Sequence, residues 1–129
     1  MINIENEVFN TVANALRAVY GNKISVYGET IEAPESFPCV CLVEDDNSEI
    51  TMNKTLTRQP ETASNLLYTA NVYSNLRSGR KTQAKDIMDI IDDCMRKFGF
   101  TRTMRSQLPN VDRTIYRITA RYTRIIQTF

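Results

Sequence analysis

The sequence predicts an α+β fold: a mainly antiparallel β-sheet with two amphipathic helices packed on one face, plus a polar β-hairpin or arm. Two segments repeat apolar residues at helical spacing, and five shorter segments have the character of strands. Residues 39–43 are apolar on both faces, as in a central strand. The clearest alternation lies in residues 114–126. The chain has 129 residues, 42% of them hydrophobic, which fits a single domain over residues 1–129.

The first predicted helix spans residues 3–20. Its polar side is acidic and amide-rich, so we expect a helix that packs on the core and not one that binds a membrane surface. Asn3 is placed to cap its start, and Gly21 to end it. The apolar stripe consists of Ile4, Val8, Val12, Ala15, Leu16 and Val19.

The second predicted helix spans residues 78–98 and ends before Gly99. We assign four aspartates to its solvent-exposed side: Asp86, Asp89, Asp92 and Asp93. Its start carries four cations, which are Arg77, Arg80, Lys81 and Lys85. Because the amino end of a helix favours negative charge, this arrangement predicts a carboxylate or phosphate supplied from outside the helix.

The predicted strands are 23–27, 39–43, 66–74, 100–108 and 114–126. A polar arm over about 47–64 separates the second from the third. In the last strand Tyr116, Ile118, Ala120 and Tyr122 share a core face, and Arg117 and Arg121 lie on the other. With Arg102, Arg105 and Arg124 they predict a basic sheet surface, provided that the registers of the two last strands agree.

Charge divides unevenly along the chain. Residues 1–65 contain four Lys/Arg against ten Asp/Glu, and residues 66–129 contain twelve against five, although the net charge is only +1. If the two halves interleave in a compact domain, the surface is simply mixed in charge. The alternative is a protomer with an acidic and a basic flank, suited to head-to-tail association. We therefore predict that Glu44, Asp45 and Asp46 face the Arg102, Arg105, Arg117 or Arg121 of a neighbouring copy.

Several chemistries are disfavoured by composition. The chain has no histidine and three cysteines, an odd number, so histidine-dependent catalysis is excluded and a cysteine zinc site is not expected. We predict no catalytic residues, metal, cofactor or membrane span, and a protein that is not an enzyme. An enzyme using carboxylates near Asp45 is the weakest alternative.

Five segments spread over nearly the whole chain form a pattern shared with a known family; they are residues 4–9, 36–40, 72–75, 99–102 and 116–122. In the pattern and order of these segments, the chain resembles the tail terminator (tail-completion) proteins of long-tailed bacteriophages and prophages.

The resemblance implies a structural protein of the virion, assembled in the bacterial cytoplasm and placed at the tail–head junction. It implies a homo-oligomeric, hexameric ring that caps the head-proximal end of the tail tube and stops polymerisation. The implied partners are the tail tube protein and a head-completion or neck protein, with DNA passing through the ring without specific binding. The arm is expected to reach a neighbour or the tube through Lys54, Leu56 and Arg58.

Two other functions stay open from the sequence. One is another neck or head-completion adaptor, which shares most of these physical requirements. The other is a small nucleic-acid-binding module, with the arginines on phosphates and Tyr73, Tyr116 or Tyr122 stacking on bases.

Overall fold

The structure is a computed structural model that describes residues 4–31, 34–51, 62–109 and 112–128. Its two helices and five strands confirm the predicted α+β fold. The elements are α1 (Glu5–Tyr20), a short 3-10 turn (Gly21–Lys23), β1 (Ser25–Tyr27), β2 (Cys39–Thr51), β3 (Thr62–Ser74), α2 (Arg80–Lys97), β4 (Thr101–Leu108) and β5 (Tyr116–Thr128).

The carboxyl-terminal ends of both helices are set by glycine and not by polar side chains. Helix α1 starts after Ile4, which makes no side-chain cap, and the predicted cap Asn3 lies outside the described residues. Gly21, at φ 63°, donates its N–H to the Arg17 carbonyl and ends α1 as predicted. Gly99, at φ 81°, donates its N–H to the Arg96 carbonyl at 2.8 Å and closes the turn after α2.

The five strands form one mixed sheet in the order β1-β2-β3-β5-β4. Only the β1–β2 pair is parallel, and every other pair is antiparallel. Strands β2 and β3 stay paired from Cys39↔Tyr73 out to Thr51↔Thr62. The described part of the predicted polar arm is therefore the extension of this hairpin. The predicted arm contacts Lys54, Leu56 and Arg58 lie outside the described residues.

Both helices pack on one face of the sheet, as predicted. Their apolar stripes meet a layer of strand residues that includes Leu66, Tyr68, Ile118 and Tyr122, all buried. Among the described residues, loop side chains cover the opposite face at one end, where Cys39, Cys41 and Tyr73 pack under Ile31, Phe37 and Ile115. Elsewhere on that face the apolar side chains of Leu67 and Ile125 are exposed.

Two isoleucines of β5 provide a matched test of this layering. Ile118 is 3% exposed in the core and Ile125 is 59% exposed on the opposite face. Because truncating a buried isoleucine removes apolar contacts and leaves a cavity, Ile118→Ala should lower the free energy of unfolding by about 2–5 kcal/mol. Ile125→Ala should change it by no more than about 0.5 kcal/mol. Urea unfolding of both variants measures the difference, and equal effects would contradict the assigned faces.

Candidate subunit interface

One flank of the sheet carries a cluster of carboxylates, Glu44, Asp45 and Asp46 of β2, which we call the acidic edge. Strand β1 pairs only with Cys39–Cys41 of β2, so no described strand lies beside β2 from Leu42 onward on that side. A β-bulge lies at this point, where Glu44 pairs with Tyr68 and Asp46 with Leu67. The bulge places Glu44 on the helix face and Asp46 on the opposite face.

Each carboxylate of the acidic edge is held by a neighbouring hydroxyl. The Tyr68 hydroxyl donates to Glu44 Oε2 at 2.8 Å, and the Thr69 hydroxyl donates to Asp45. The Ser48 hydroxyl donates to Asp46 Oδ2 at 2.5 Å. One hydroxyl donor occupies only part of the acceptor capacity of a carboxylate, so each of the three can still accept a hydrogen bond from a cationic partner.

The other flank of the sheet is β4, which has β5 on one side and no described strand on the other. Arg102 pairs with Tyr122 and Arg105 with Ala120, which are both core residues. The two arginines are three residues apart, so in a regular strand they would lie on opposite faces. A bulge at Thr103 adds one residue and brings both to the helix face.

Aspartates of α2 hold these two arginines within the same chain. Arg105 Nη1 lies 2.7 Å from Asp89 Oδ1. Arg102 Nη1 lies 3.4 Å from Asp92 Oδ1, and Arg96 Nη2 lies 3.1 Å from the other Asp92 oxygen. The assignment of Asp92 to the solvent-exposed side was wrong. It lies beneath β4 and is only 5% exposed. The two guanidinium groups offset the cost of burying its charge.

The start of α2 adds two cations to the same flank. Lys81 and Lys85 line a concavity of about 550 Å³ together with Arg102, Arg105, Ser106, Gln107, Tyr116 and Ile118. We call the four cations of this concavity the basic edge. Helix α2 has no acidic residue in its first turn and no side-chain cap, so the unusual charge noted in the sequence is present. The i,i+4 spacing of the two lysines places them on the same side of the helix. Their closeness to β4 depends on tertiary packing and could not be predicted from that spacing.

The predicted basic sheet surface was wrong in part, because the five arginines occupy two faces. Arg102 and Arg105 lie on the helix face, as does Arg124, which donates to the Phe98 carbonyl. Arg117 and Arg121 pair with Tyr73 and Thr69 on the opposite face. The register of β4 against β5, including its bulge, places Arg102 and Arg105 on the helix face. The alternation of β5 itself separates Arg124 from Arg117 and Arg121.

The two arginines of the opposite face differ in their surroundings. Arg117 is half-buried, donates to Asn71 Oδ1 through Nε at 3.2 Å and Nη2 at 3.1 Å, and lies 5.5 Å from the Tyr73 ring centroid. Arg121 is exposed, and its guanidinium has no hydrogen-bond or ion-pair partner among the residues the structure describes. Of these two arginines, Arg121 is the one available to a partner.

Arg121 and Asp45 share a second concavity, of about 560 Å³, on the uncovered part of the opposite face. Thr69 lies between them and binds Asp45. The predicted meeting of acidic and basic residues therefore occurs partly within one chain. A neighbouring copy is not needed to bring Asp45 and Arg121 to the same concavity.

Two buried tyrosines, Tyr68 and Tyr122, lie next to carboxylates of the acidic edge and of α2 and have raised pKa values. Burial raises the pKa of Tyr68, and the hydrogen bond to Glu44 and the charges of Glu44 and Glu5 raise it further. Burial also raises the pKa of Tyr122, followed by the charge of Asp92. Tyr73, Tyr116 and Tyr122 are at most 9% exposed, so none presents a ring face for stacking on a base.

The three cysteines are free thiols buried in the fold. Hydrogen bonding to the Cys41 thiol and burial both raise the pKa of Cys39. Among the described residues, no group of three or more cysteine, aspartate or glutamate side chains is placed to hold a metal ion. Neither described helix combines the length and apolar composition required to cross a bilayer.

A scan of the sequence against protein-family models gives no match, and a search of curated protein sequences gives none either. The resemblance to tail terminator proteins stays a prediction.

Arg117 and Arg121 form a matched pair on one face of β5. Arg117→Ala removes two hydrogen bonds to Asn71 and the contact with Tyr73, so we expect the free energy of unfolding to fall by about 1–2 kcal/mol. Arg121→Ala should change it by no more than about 0.5 kcal/mol. Urea unfolding tests both. Equal losses would contradict the different surroundings assigned to the two arginines.

The buried tyrosines predict loss of stability in alkali. A pKa raised in the folded state stabilises the neutral phenol, so this contribution is complete below about pH 10, the ordinary tyrosine value, and is lost as pH rises above it. We expect the free energy of unfolding to fall between about pH 10 and 12, and to fall less steeply in Tyr68→Phe. Urea unfolding across this range, with pH 7 as the reference, gives both slopes. Parallel slopes would contradict the environment assigned to Tyr68.

Proposed function

We propose that this protein is a structural tail terminator of a phage or prophage. It forms a homo-oligomeric ring, hexameric by the resemblance, on the head-proximal end of the tail tube. The ring stops tube polymerisation and provides the surface that a head-completion protein joins. It works at the tail–head junction of the virion, has no catalytic role, and lets DNA pass without specific binding.

A single observation carries the proposal: the two free edges of one sheet bear opposite charges. The acidic edge lies on β2 and the basic edge on β4 and α2, with β3 and β5 between them. A protomer whose flanks are complementary associates head to tail, and such contacts close into a ring when the rotation between copies permits. The extended β2–β3 hairpin supports a further contact with the tube or a neighbour.

The experiment combines ring formation with tube capping. Light scattering and negative-stain images of the purified protein should show rings, either alone or on tube ends. Added to polymerising tail tube protein from the same genome, it should arrest elongation at about one ring per growing end. Arg113→Glu reverses a charge at an exposed turn residue and serves as a control. It should arrest elongation as well as the wild-type protein does.

Two results separate the alternatives. A neck or head-completion adaptor would form rings without changing tube length. A protein that neither forms rings nor alters tube length at any concentration would contradict the proposal outright.

The second candidate function is a nucleic-acid-binding module, which the four cations of the basic edge favour. Fluorescence anisotropy with short duplex and single-stranded DNA tests it. Binding that weakens steeply with salt and is lost in a Lys81→Ala, Lys85→Ala variant would support this function. Absence of binding at low salt would exclude it.

A further inference from the structure

We infer that neighbouring copies of this chain join through their sheet edges, with Thr101–Arg105 of β4 in one copy antiparallel to Leu42–Asp46 of β2 in the next and Arg102 opposite Glu44. The inference rests on the proposed function, because it names the contact that builds the ring. Four features of the described sheet carry it.

The first feature is that each partner surface is a free strand edge. Strand β4 pairs with β5 alone, and its residues from Thr101 to Thr103 are exposed. Strand β2 is covered by β1 only as far as Cys41. An unpaired strand edge presents backbone N–H and C=O groups that a further strand can satisfy.

The second feature is strand direction. Strand β2 runs antiparallel to β3, β3 to β5, and β5 to β4, so β2 and β4 run in opposite directions. A second copy placed beside the first in the same orientation brings its β2 antiparallel to β4. The alternation of the sheet then continues across the contact, in the geometry with the more favourable hydrogen bonds.

The third feature is the position of Arg102 and Glu44 along the strand direction. Following the registers across the sheet, Arg102 pairs with Tyr122, Tyr122 with Tyr68, and Tyr68 with Glu44. Arg102 and Glu44 therefore end the same row of residues, at opposite edges and on the same face. Rotation about an axis parallel to the strands keeps height unchanged, so it sets Arg102 of one copy level with Glu44 of the next. The same registers set Ser106–Leu108 level with Cys39–Cys41, which β1 covers, so the contact is confined to Thr101–Arg105 against Leu42–Asp46 and the rest of β4 must diverge from it.

The fourth feature is the charge of the two edges, which determines which edges can pair. A β4–β4 contact would oppose arginines, and a β2–β2 contact would oppose carboxylates, so like edges repel. Only the β4–β2 contact pairs opposite charges. Each edge carries a bulge in this row, which shortens the regular ladder, so the charged pair supplies much of the specificity.

The two side chains are held in place and retain bonding capacity. Asp92 holds Arg102, whose side chain is 36% exposed and whose guanidinium has five N–H donors. The Tyr68 hydroxyl holds Glu44, whose carboxylate has further acceptor sites. Because both groups are oriented before contact, less conformational entropy is lost when they pair.

Mixing two charge-reversed variants tests the contact. Arg102→Glu and Glu44→Arg should each lower ring formation at least about tenfold, since every contact in either variant opposes like charges. An equimolar mixture should restore rings, because the two variants alternate and every contact pairs opposite charges. Light scattering, with native mass spectrometry for composition, should then find equal numbers of each variant in a ring. The assay is run both without and with tail tubes.

Two matched controls separate local charge from general effects. Arg113→Glu and Asp93→Arg reverse exposed charges away from the row, and neither should change ring formation. Circular dichroism and thermal melting establish that each variant is folded. If a reversal unfolds the chain, the neutral variants Arg102→Gln and Glu44→Gln replace it, and the double variant should assemble no worse than either single one.

The outcomes distinguish this contact from the proposed function. Rings formed by either reversed variant alone, or a mixture that stays disassembled, would overturn the edge contact while leaving the tail terminator function standing. A wild-type protein that stays monomeric with and without tubes would overturn both. Rescue on mixing supports the contact whether or not tube growth is arrested.

Discussion

The side-chain alternation of β5 is the constraint on which the rest of this structure depends. Strand β5 lies between β3 and β4, so its two faces decide which side chains of both neighbours enter the core. Tyr116, Ile118, Ala120 and Tyr122 pack under the helices, and this leaves Arg117 and Arg121 on the other face. A slip of one residue would exchange these sets and bury two guanidinium groups against apolar helices.

Burial of Asp92 is what allows a basic edge to exist beside this core. Its carboxylate lies beneath β4 between Arg96 and Arg102, and the nearby Asp89 holds Arg105. These contacts fix the positions of the two β4 arginines, and Lys81 and Lys85 leave the concavity with a positive balance. The partly exposed Arg105–Asp89 pair contributes little to stability, but it orients the guanidinium group at the surface.

The parts of the fold that follow from local pattern could be predicted from the sequence. The two helices, the core face of β5 and the glycines at Gly21 and Gly99 all depend on residues close together in the chain. The faces of Arg102 and Arg105 could not be predicted, because the bulge at Thr103 reverses the strand alternation between them. Asp92 was misassigned for a related reason: an i,i+4 pair with Arg96 looks solvent-exposed until β4 covers it. The meeting of Lys81 and Lys85 with β4 likewise depends on packing between distant segments.

The unequal lengths of the edge strands decide what kind of association this sheet favours. Strand β1 has three residues and β4 has eight, so β1 covers one end of β2, while no described strand pairs with the outer side of β4. If both edges carried the same charge, association through either would be blocked, as in many proteins that keep their sheet edges apart. Here the charges are opposite, so in the proposed contact like edges repel and unlike edges attract. A contact of this kind is not formed about a two-fold axis. In the proposed assembly it repeats in one direction, and a closed ring is the form in which such repetition leaves no edge unpaired.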